Sequence, residues 1–218
     1  MNLSNYYYYF QSAIPPRICD LIVEYGKAEK QNEQQAITGG YGRDRDLSKQ
    51  PLTDNEINDI KKKRNSNIVW LNDPWIYKEI EPFVKIANKN AGWNFQWDYP
   101  EEIQFTKYKK GQYYDWHCDS WPKPYFRQDN PQDPSNGKIR KLSVTVSLSD
   151  PKDYKGGELE FDFRDKDPDN KSNIRKCTEI LPKGSLVVFP GFVWHRVCPV
   201  KKGKRHSLVI WNLGWPYK

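Results

Sequence analysis

The chain has 218 residues, of which 37% are hydrophobic, and it carries a formal net charge of +7 at pH 7. This length suits one domain of a sandwich or barrel class, and no stretch approaches the ~18 apolar residues of a membrane-spanning helix. The four cysteines form no C-x-x-C pair and specify no disulfide framework. We therefore expect a cytoplasmic protein with a single domain over residues 1–218.

The first hundred residues have the pattern of a helix-rich support. The aromatic run Tyr6–Phe10 lacks the basic flank and aliphatic centre of a signal peptide, so we interpret it as an edge strand or a packing segment. Pro15-Pro16 and Pro74 each precede an amphipathic run, and Pro is favoured at a helix start. We predict two helices whose apolar stripes pack in the core.

The positive charge is densest in Lys61-Lys62-Lys63-Arg64. A basic balance of this kind points to nucleic acid or to acidic protein partners. This cluster directly follows a helical pattern and has no interleaved aromatic residues, which favours a solvated helix end. Nucleic acid stays open as a partner, without a recognisable motif to support it.

Short apolar and alternating runs dominate residues 101–218. In Leu142–Leu148 the apolar residues alternate with Ser143, Thr145 and Ser147, so one face of this strand is apolar and the other carries hydroxyl groups. Eight strands are predicted, at 102–108, 112–118, 139–149, 157–163, 174–181, 185–190, 193–198 and 205–212. Their number suits a double-stranded β-helix, a jelly roll whose hydroxyl-lined face borders a ligand cavity.

Two segments have the composition of loops at the edge of a cleft. Residues 120–138 are rich in Pro, Asp and Asn and include Trp121, Tyr125 and Phe126, which favours a lid over a plain connector. Residues 38–50, rich in Gly, Arg and Asp, are predicted to form a second mobile edge.

His117, Asp119 and His195 form the most informative pattern in the chain. Side chains two residues apart on a strand point the same way, so His117 and Asp119 can reach one ion while Cys118 points away and is expected to be a buried thiol. His195 lies 78 positions after His117, so only a tertiary fold can complete the set. Two histidines and one carboxylate on one face of a metal are typical of non-haem Fe(II) oxygenases.

The segment after His195 is predicted to be a hairpin with a Lys/Gly turn. The period of two places Arg205, Ser207, Val209 and Trp211 on one face of its second strand, with His206 on the other. Arg205 is then able to point into the cavity that holds His195, where its rigid fork suits a carboxylate. Ser207 adds a hydroxyl donor beside it.

At this point the chain resembles the Fe(II)/2-oxoglutarate-dependent dioxygenases, in the prolyl 4-hydroxylase branch and especially its bacterial PKHD-type members. Four blocks in order carry the resemblance: Tyr108–Asp119, Arg140–Pro151, the segment Tyr154-Lys-Gly-Gly-Glu-Leu159, and the hairpin from His195 to Trp211. Residues 101–213 are covered well, and residues 15–100 only loosely.

The resemblance implies a role for each matching residue. His117, Asp119 and His195 would bind Fe(II), and Arg205 would hold the distal carboxylate of 2-oxoglutarate. The remaining co-substrate contacts would be Tyr108, Thr145, Ser147 and Ser207, and the peptide contacts would be Tyr114, Arg140 and Trp211. Leu213 stands where some peptidyl enzymes have a His. Strand parity places Arg140 on the apolar side, so its role requires a bend at the start of the strand.

The function implied is a 2-oxoglutarate-dependent dioxygenase, similar to the prolyl 4-hydroxylases. It would hydroxylate prolyl residues in a peptide or protein, consume O2 and release succinate and CO2, with ascorbate (vitamin C) as a further cofactor. Two alternatives stay open. One is an oxygenase with the same core that acts on nucleic acid or a free amino acid, and the other is a non-catalytic, metal-bearing jelly-roll binding module. The sequence does not identify the substrate or the oligomeric state.

Overall fold

The computed structural model describes residues 5–38, 47, 49–121, 123–127, 130–163 and 173–217. In this part of the chain there are three α-helices: α1 (Pro16–Ala28), α2 (Asp54–Lys63) and α3 (Pro74–Asn90). The strands are β1 (Tyr8–Phe10), β2 (Gln34–Gln35), β3 (Arg64–Asn65), β4 (Asn67–Leu71), β5 (Tyr99–Pro100), β6 (Ile103–Tyr108), β7 (Tyr113–His117), β8 (Ile139–Ser147), β9 (Tyr154–Gly156), β10 (Leu159–Asp162), β11 (Ile174–Lys176), β12 (Leu186–Pro190), β13 (Trp194–Val197), β14 (Val200–Gly203) and β15 (Arg205–Gly214).

The strands form two main antiparallel sheets. The major sheet has the order β1-β12-β8-β15-β6-β4-β2, with β5 also paired to β15. The minor sheet has the order β11-β10-β13-β7-β3, and β9 and β14 form a separate two-stranded ribbon. The mainly β class predicted from the sequence is confirmed.

The larger of two apolar clusters lies between the major sheet and helices α1 and α3. Both helices bury one apolar face, as their amphipathic patterns predict. The apolar residues of β8 and β15 complete the same cluster, which includes Ile22, Ile80, Leu142, Val144, Val146, Leu208 and Ile210. The other face of these two strands is therefore turned away from the helices, toward the minor sheet.

The eight predicted strands all have counterparts, mostly with shorter bounds. The predicted strand 174–181 was too long, because β11 ends at Lys176 and a 3₁₀ turn follows at Thr178–Ile180. The helix-rich interpretation of the first hundred residues missed β4, which pairs with β6 in the major sheet. Five residues without clear alternation give too little periodic signal to separate a buried strand from a helix segment.

Several smaller predictions are also decided by the structure. The aromatic N-terminal run forms β1, an edge strand paired with β12. No helix within the described ranges is long and apolar enough to cross a membrane. No disulfide forms among the four cysteines in the described part of the chain; Cys19 and Cys177 are buried, and Cys118 and Cys198 are partly exposed.

The two predicted loops are described to different extents. Most of the segment 38–50 lies outside the described residues. In the described part of 120–138, Tyr125 is 8% exposed and its amide donates to the carbonyl of Lys138, whereas Phe126 is 72% exposed. The aromatic residues of this segment thus divide between packing and an outer surface.

Candidate active site

His117, Asp119 and His195 meet where β7 and β13 pair. His117 and His195 are direct cross-strand partners, and their ring centroids lie 4.1 Å apart. Asp119 follows the end of β7. Its Oδ1 lies 3.8 Å from His117 Nε2, and its Oδ2 lies 3.5 Å from His195 Nε2. One ligand atom from each residue lies within 4.8 Å of the others, so this set is able to hold one metal ion.

Backbone carbonyls fix the orientation of both imidazole rings. Nδ1 of His117 lies 2.7 Å from the carbonyl oxygen of Asp115, and Nδ1 of His195 lies 2.9 Å from that of Val193. A carbonyl oxygen only accepts, so each Nδ1 carries the hydrogen and each Nε2 keeps its lone pair for a metal. Burial, together with the neighbouring His195, lowers the pKa of His117 well below its ordinary value. The neutral ring that metal binding requires is therefore favoured at neutral pH.

Asp119 is held as a carboxylate by its surroundings. Burial alone would raise its pKa, but His195, His117, Arg140 and the Ser143 hydroxyl together lower it. Ser143 donates to Asp119 Oδ2 at 2.7 Å, and the amide of Asp119 donates to the carbonyl of Gly191. Ser143 was recognised from the sequence only as part of a hydroxyl-lined face, and its contact with Asp119 arises from the packing of the two sheets.

The metal-ligand cluster opens into a narrow cleft between the two sheets. On the major-sheet wall the lining includes Tyr108, Thr145, Arg205, Ser207 and Trp211, and the predicted face of β15 is correct. Ser147 is also buried, opposite Ser207 on the neighbouring strand, but it does not line the cleft. His206 lies on the other side of β15, stacked on Phe105 in the helix-side core.

Arg205 is a buried cation at one end of this cleft. It is 2% exposed, and its Nη1 donates to the Ser207 hydroxyl at 3.2 Å. Its guanidinium lies 5.6 Å from the ring of Tyr108, the cross-strand partner of Arg205 on β6. Burial raises the pKa of Tyr108, so the hydroxyl stays protonated and able to donate. Within the described residues no carboxylate pairs with Arg205, which leaves its fork available to a ligand.

Tyr114 is enclosed between two other side chains of the site. Its ring stacks on His117 with centroids 3.4 Å apart, and Arg64 lies 4.4 Å from its centroid. Its hydroxyl lies 2.8 Å from the hydroxyl of Thr38. Tyr114 therefore supports the ring of His117 and leaves little of its own face open to a bound molecule.

Arg140 reaches the cleft side of the major sheet through an irregularity in strand pairing. The register of β15 against β8 shifts between Asn212 and Leu213, so that Leu213 pairs with Arg140. This β-bulge provides the bend required at the start of the strand. Arg140 stacks 3.6 Å above the ring of Trp211 and forms two hydrogen bonds to Glu101, of 3.0 and 2.6 Å. Leu213 itself is fully buried.

Arg64 is the charged lining residue that the sequence interpretation missed. Lys61, Lys62 and Lys63 do form the exposed last turn of α2, but Arg64 begins β3 and is only 4% exposed. The interpretation of the whole cluster as a solvated helix end was therefore wrong for its last member. The sequence offers no clear signal for this position, because residues 67–71 lack the alternation that would have predicted a strand so close to the helix end.

Cys118 points away from the two ligands that flank it, as strand parity predicts. Its Sγ lies 3.2 Å from the carbonyl oxygen of Phe192. The thiol is partly exposed and not buried as expected. Strand β7 ends at His117, so Cys118 lies beyond the paired strand.

Comparison with known proteins identifies the family. The model of the 2OG-Fe(II) oxygenase superfamily matches residues 103–212, half of the chain and all of the elements that carry the metal-ligand cluster and Arg205. The chain belongs to this superfamily. The match confirms the resemblance stated from the sequence, and the family is one that uses Fe(II) and 2-oxoglutarate.

Curated relatives include PKHD-type hydroxylases of bacteria. One, from Xanthomonas campestris pv. campestris (strain B100), is 34% identical over 142 residues, which are 64% of this chain and 57% of the relative. Another, YbiX of Escherichia coli O157:H7, is 33% identical over 108 residues, 49% of this chain and 40% of the relative. The chain spans about half the length of the curated relatives that it matches.

Solved structures show the same fold over nearly the whole chain. The 2OG complex of the viral collagen prolyl hydroxylase vCPH from Paramecium Bursaria Chlorella virus-1 has a TM-score of 0.60 at 19% identity and covers 97% of each chain. A Trichoplax adhaerens prolyl hydroxylase in complex with a hypoxia inducible factor peptide fragment has a TM-score of 0.61 at 14% identity, covering 96% of this chain and 84% of that chain. The predicted jelly-roll fold is confirmed.

Proposed function

We propose that this protein is an Fe(II)- and 2-oxoglutarate-dependent oxygenase that hydroxylates prolyl residues in a peptide or protein. O2 is consumed, and succinate and CO2 are released. One observation carries the proposal: the His-Asp-His cluster and the buried Arg205 line the same cleft. Arg205 has no carboxylate partner among the described residues. We further propose that residues 1–218 form one catalytic domain, with 1–100 as support and 101–218 as the core.

The residues of the cluster fit Fe(II). His117 and His195 present Nε2, Asp119 presents a carboxylate oxygen, and the second nitrogen of each ring is held by a backbone carbonyl. Three protein ligands leave positions open to other molecules, which a purely structural metal does not require. Fe(II) held by these three residues would serve to activate O2, the oxidant of the hydroxylation, with 2-oxoglutarate as the electron-donating co-substrate.

The other end of the cleft fits a dicarboxylate. Arg205 would pair with the distal carboxylate, supported by the hydroxyl groups of Ser207 and Tyr108, while Thr145 lines the space toward the metal. A non-catalytic metal-bearing module has no need for a buried guanidinium beside its metal, so Arg205 argues against that alternative.

The prolyl substrate is supported by the relatives and by the aromatic lining. A collagen prolyl hydroxylase and a prolyl hydroxylase bound to a peptide share this fold. Trp211 borders the cleft, and its Nε1 is buried with no partner in the described part of the chain, so this donor is available to a substrate carbonyl. Pro-rich peptides already favour an extended polyproline II form, which lowers the ordering cost of binding. Tyr114 and Arg140 would support this region.

Mass spectrometry tests the proposal. The protein is incubated with Fe(II), 2-oxoglutarate, ascorbate and a library of Pro-rich peptides, with free amino acids and methylated oligonucleotides in parallel. We expect the mass of a peptide to increase by one oxygen atom, with matching succinate formation, and neither product from the His195→Ala variant. Turnover of only free proline or nucleic acid would refute the peptide substrate and retain the oxygenase. Leaving out ascorbate tests its role as a reductant.

A further inference from the structure

Arg64 is a second buried cation of the cleft, on the wall opposite Arg205. It belongs to β3 of the minor sheet, whereas Arg205 belongs to β15 of the major sheet. Its Nε donates to the Ser66 hydroxyl at 3.1 Å, and no carboxylate in the described part of the chain forms an ion pair with it. A buried guanidinium without an anionic partner is costly. The partner is therefore expected to come from a bound molecule.

The charges of the cleft also call for a further anion. The charged residues that line it, as far as they are described, are Arg64, Arg205 and Asp119. These leave one net positive charge when both histidines are neutral. The two charges of Fe(II) and the two of 2-oxoglutarate cancel, so one positive charge remains after both have bound. A substrate that brings one negative charge would neutralise the cleft.

Arg64 is close enough to the metal ligands to contact a substrate near its reacting carbon. Its guanidinium carbon lies 4.4 Å from the ring centroid of Tyr114. The ring centroids of Tyr114 and His117 lie 3.4 Å apart. The guanidinium of Arg64 is therefore within about 8 Å of the His117 ring. One extended residue spans about 3.3 Å. An anion bound at Arg64 thus belongs to the reacting residue or to the residue next to it.

We propose that Arg64 is a specificity-determining residue that binds a carboxylate of the substrate. The carboxylate is either the free α-carboxylate of the hydroxylated residue or the side-chain carboxylate of an Asp or Glu beside it. This inference rests on the proposed oxygenase function and narrows its substrate class to carboxylate-bearing amino acids or peptides.

Calorimetric titration of the full chain loaded with Mn(II) and 2-oxoglutarate tests this inference. Two matched pairs of probes distinguish the sources of the carboxylate. L-proline and L-prolinamide test the α-carboxylate, and blocked Gly-Pro-Asp and Gly-Pro-Asn peptides test the side-chain carboxylate. We expect the carboxylate member of at least one pair to bind about tenfold or more tightly than its neutral partner.

Substitution of Arg64 must remove this preference. In Arg64→Gln the ratio of affinities should fall to about one, with Mn(II) and 2-oxoglutarate binding unchanged. Arg64→Lys keeps the charge and should keep part of the preference. Arg17→Gln, which removes a guanidinium from the exposed surface of α1, is the matched control and should behave like the parent. Thermal unfolding of each variant shows whether it is folded.

Several outcomes would overturn the inference. Equal affinity of the parent for both members of each pair, or binding of none of the probes, would exclude a substrate carboxylate. A preference that persists in Arg64→Gln would remove Arg64 from the role, and weaker 2-oxoglutarate binding in that variant would assign Arg64 to the co-substrate. If the parent fails to bind 2-oxoglutarate, the proposed function fails. The probes are then titrated into the protein loaded with Mn(II) alone. Loss of the carboxylate preference in Arg64→Gln would still support the role of Arg64, and its persistence would exclude that role.

Discussion

The two faces of β8 and β15 in the major sheet are equally buried but chemically opposite. On the helix side, Leu142, Val144 and Leu208 pack beneath α1 and α3 with almost no exposed surface. On the cleft side of the same strands, Ser143, Ser207 and Arg205 are just as inaccessible to solvent. Apolar side chains gain free energy from burial alone, whereas buried polar groups require partners. The first face therefore stabilises the fold, and the second is arranged for a bound molecule.

Removing a metal ligand from the cleft should give the largest functional effect. We expect His195→Ala to lose Fe(II) binding and with it all 2-oxoglutarate turnover, because one of the three protein ligands is removed. Metal analysis after dialysis measures the Fe(II) content per chain. His206→Gln is the matched control, since His206 lies on the helix side of β15 and should leave the metal content unchanged. Equal Fe(II) content in His195→Ala and the parent would show that the cluster is not the metal site.

A truncation on the helix side should instead act on stability. Leu208 is fully buried, so Leu208→Ala should lower the free energy of unfolding by about 2 to 5 kcal/mol. Denaturant unfolding measures this loss. Leu21→Ala, at a position 44% exposed on α1, should change it by less than about 0.5 kcal/mol. Similar losses in both variants would contradict the assignment of the core to this face.

A substitution at Arg205, on the cleft side of the same strand, should instead act on ligand binding more than on stability. Arg205→Ala should weaken 2-oxoglutarate binding at least tenfold, about 1.4 kcal/mol, because the distal carboxylate loses its cationic partner. Calorimetric titration of the Mn(II)-loaded protein measures the affinity, and its unfolding free energy should fall less than in Leu208→Ala. Equal 2-oxoglutarate affinity in variant and parent would remove Arg205 from the site.

His206 sharpens the comparison because it is a titratable group on the apolar side. Burial lowers its pKa to about 4, and the cations Lys27, Lys107, Lys204 and Arg205 act in the same direction. In the unfolded chain the imidazole of His206 has the ordinary pKa of about 6.5. Between these two pH values the unfolded chain therefore binds more protons than the folded chain. Stability should therefore fall as the pH decreases from about 6.5 toward 4.

This last effect is the smallest of the four and is measured by difference. Thermal unfolding of the metal-free protein at pH 5 and pH 7 should show a decrease in the parent that is smaller in His206→Gln. His117 contributes with the same sign in both proteins, so the comparison isolates His206. An equal decrease in the two proteins would show that His206 does not titrate in this window.

Local periodicity was sufficient to predict much of this molecule. The alternation along Leu142–Leu148 and Arg205–Trp211 gave the correct faces of β8 and β15, and the H-x-D spacing placed His117 and Asp119 on one side of the chain while Cys118 points away. These predictions depend only on the geometry of an extended backbone, in which successive side chains point to opposite faces. They did not require knowledge of which strands pair.

Only the tertiary structure decided which of these groups meet. The pairing of β7 with β13 brings His195 to His117, and the stacking of the sheets brings Ser143 to Asp119. Arg64 enters the cleft because β3 pairs with β7, and Arg140 changes faces at a bulge. A side chain's direction follows from its own backbone, but its partners depend on contacts between distant segments, which the local sequence pattern does not encode.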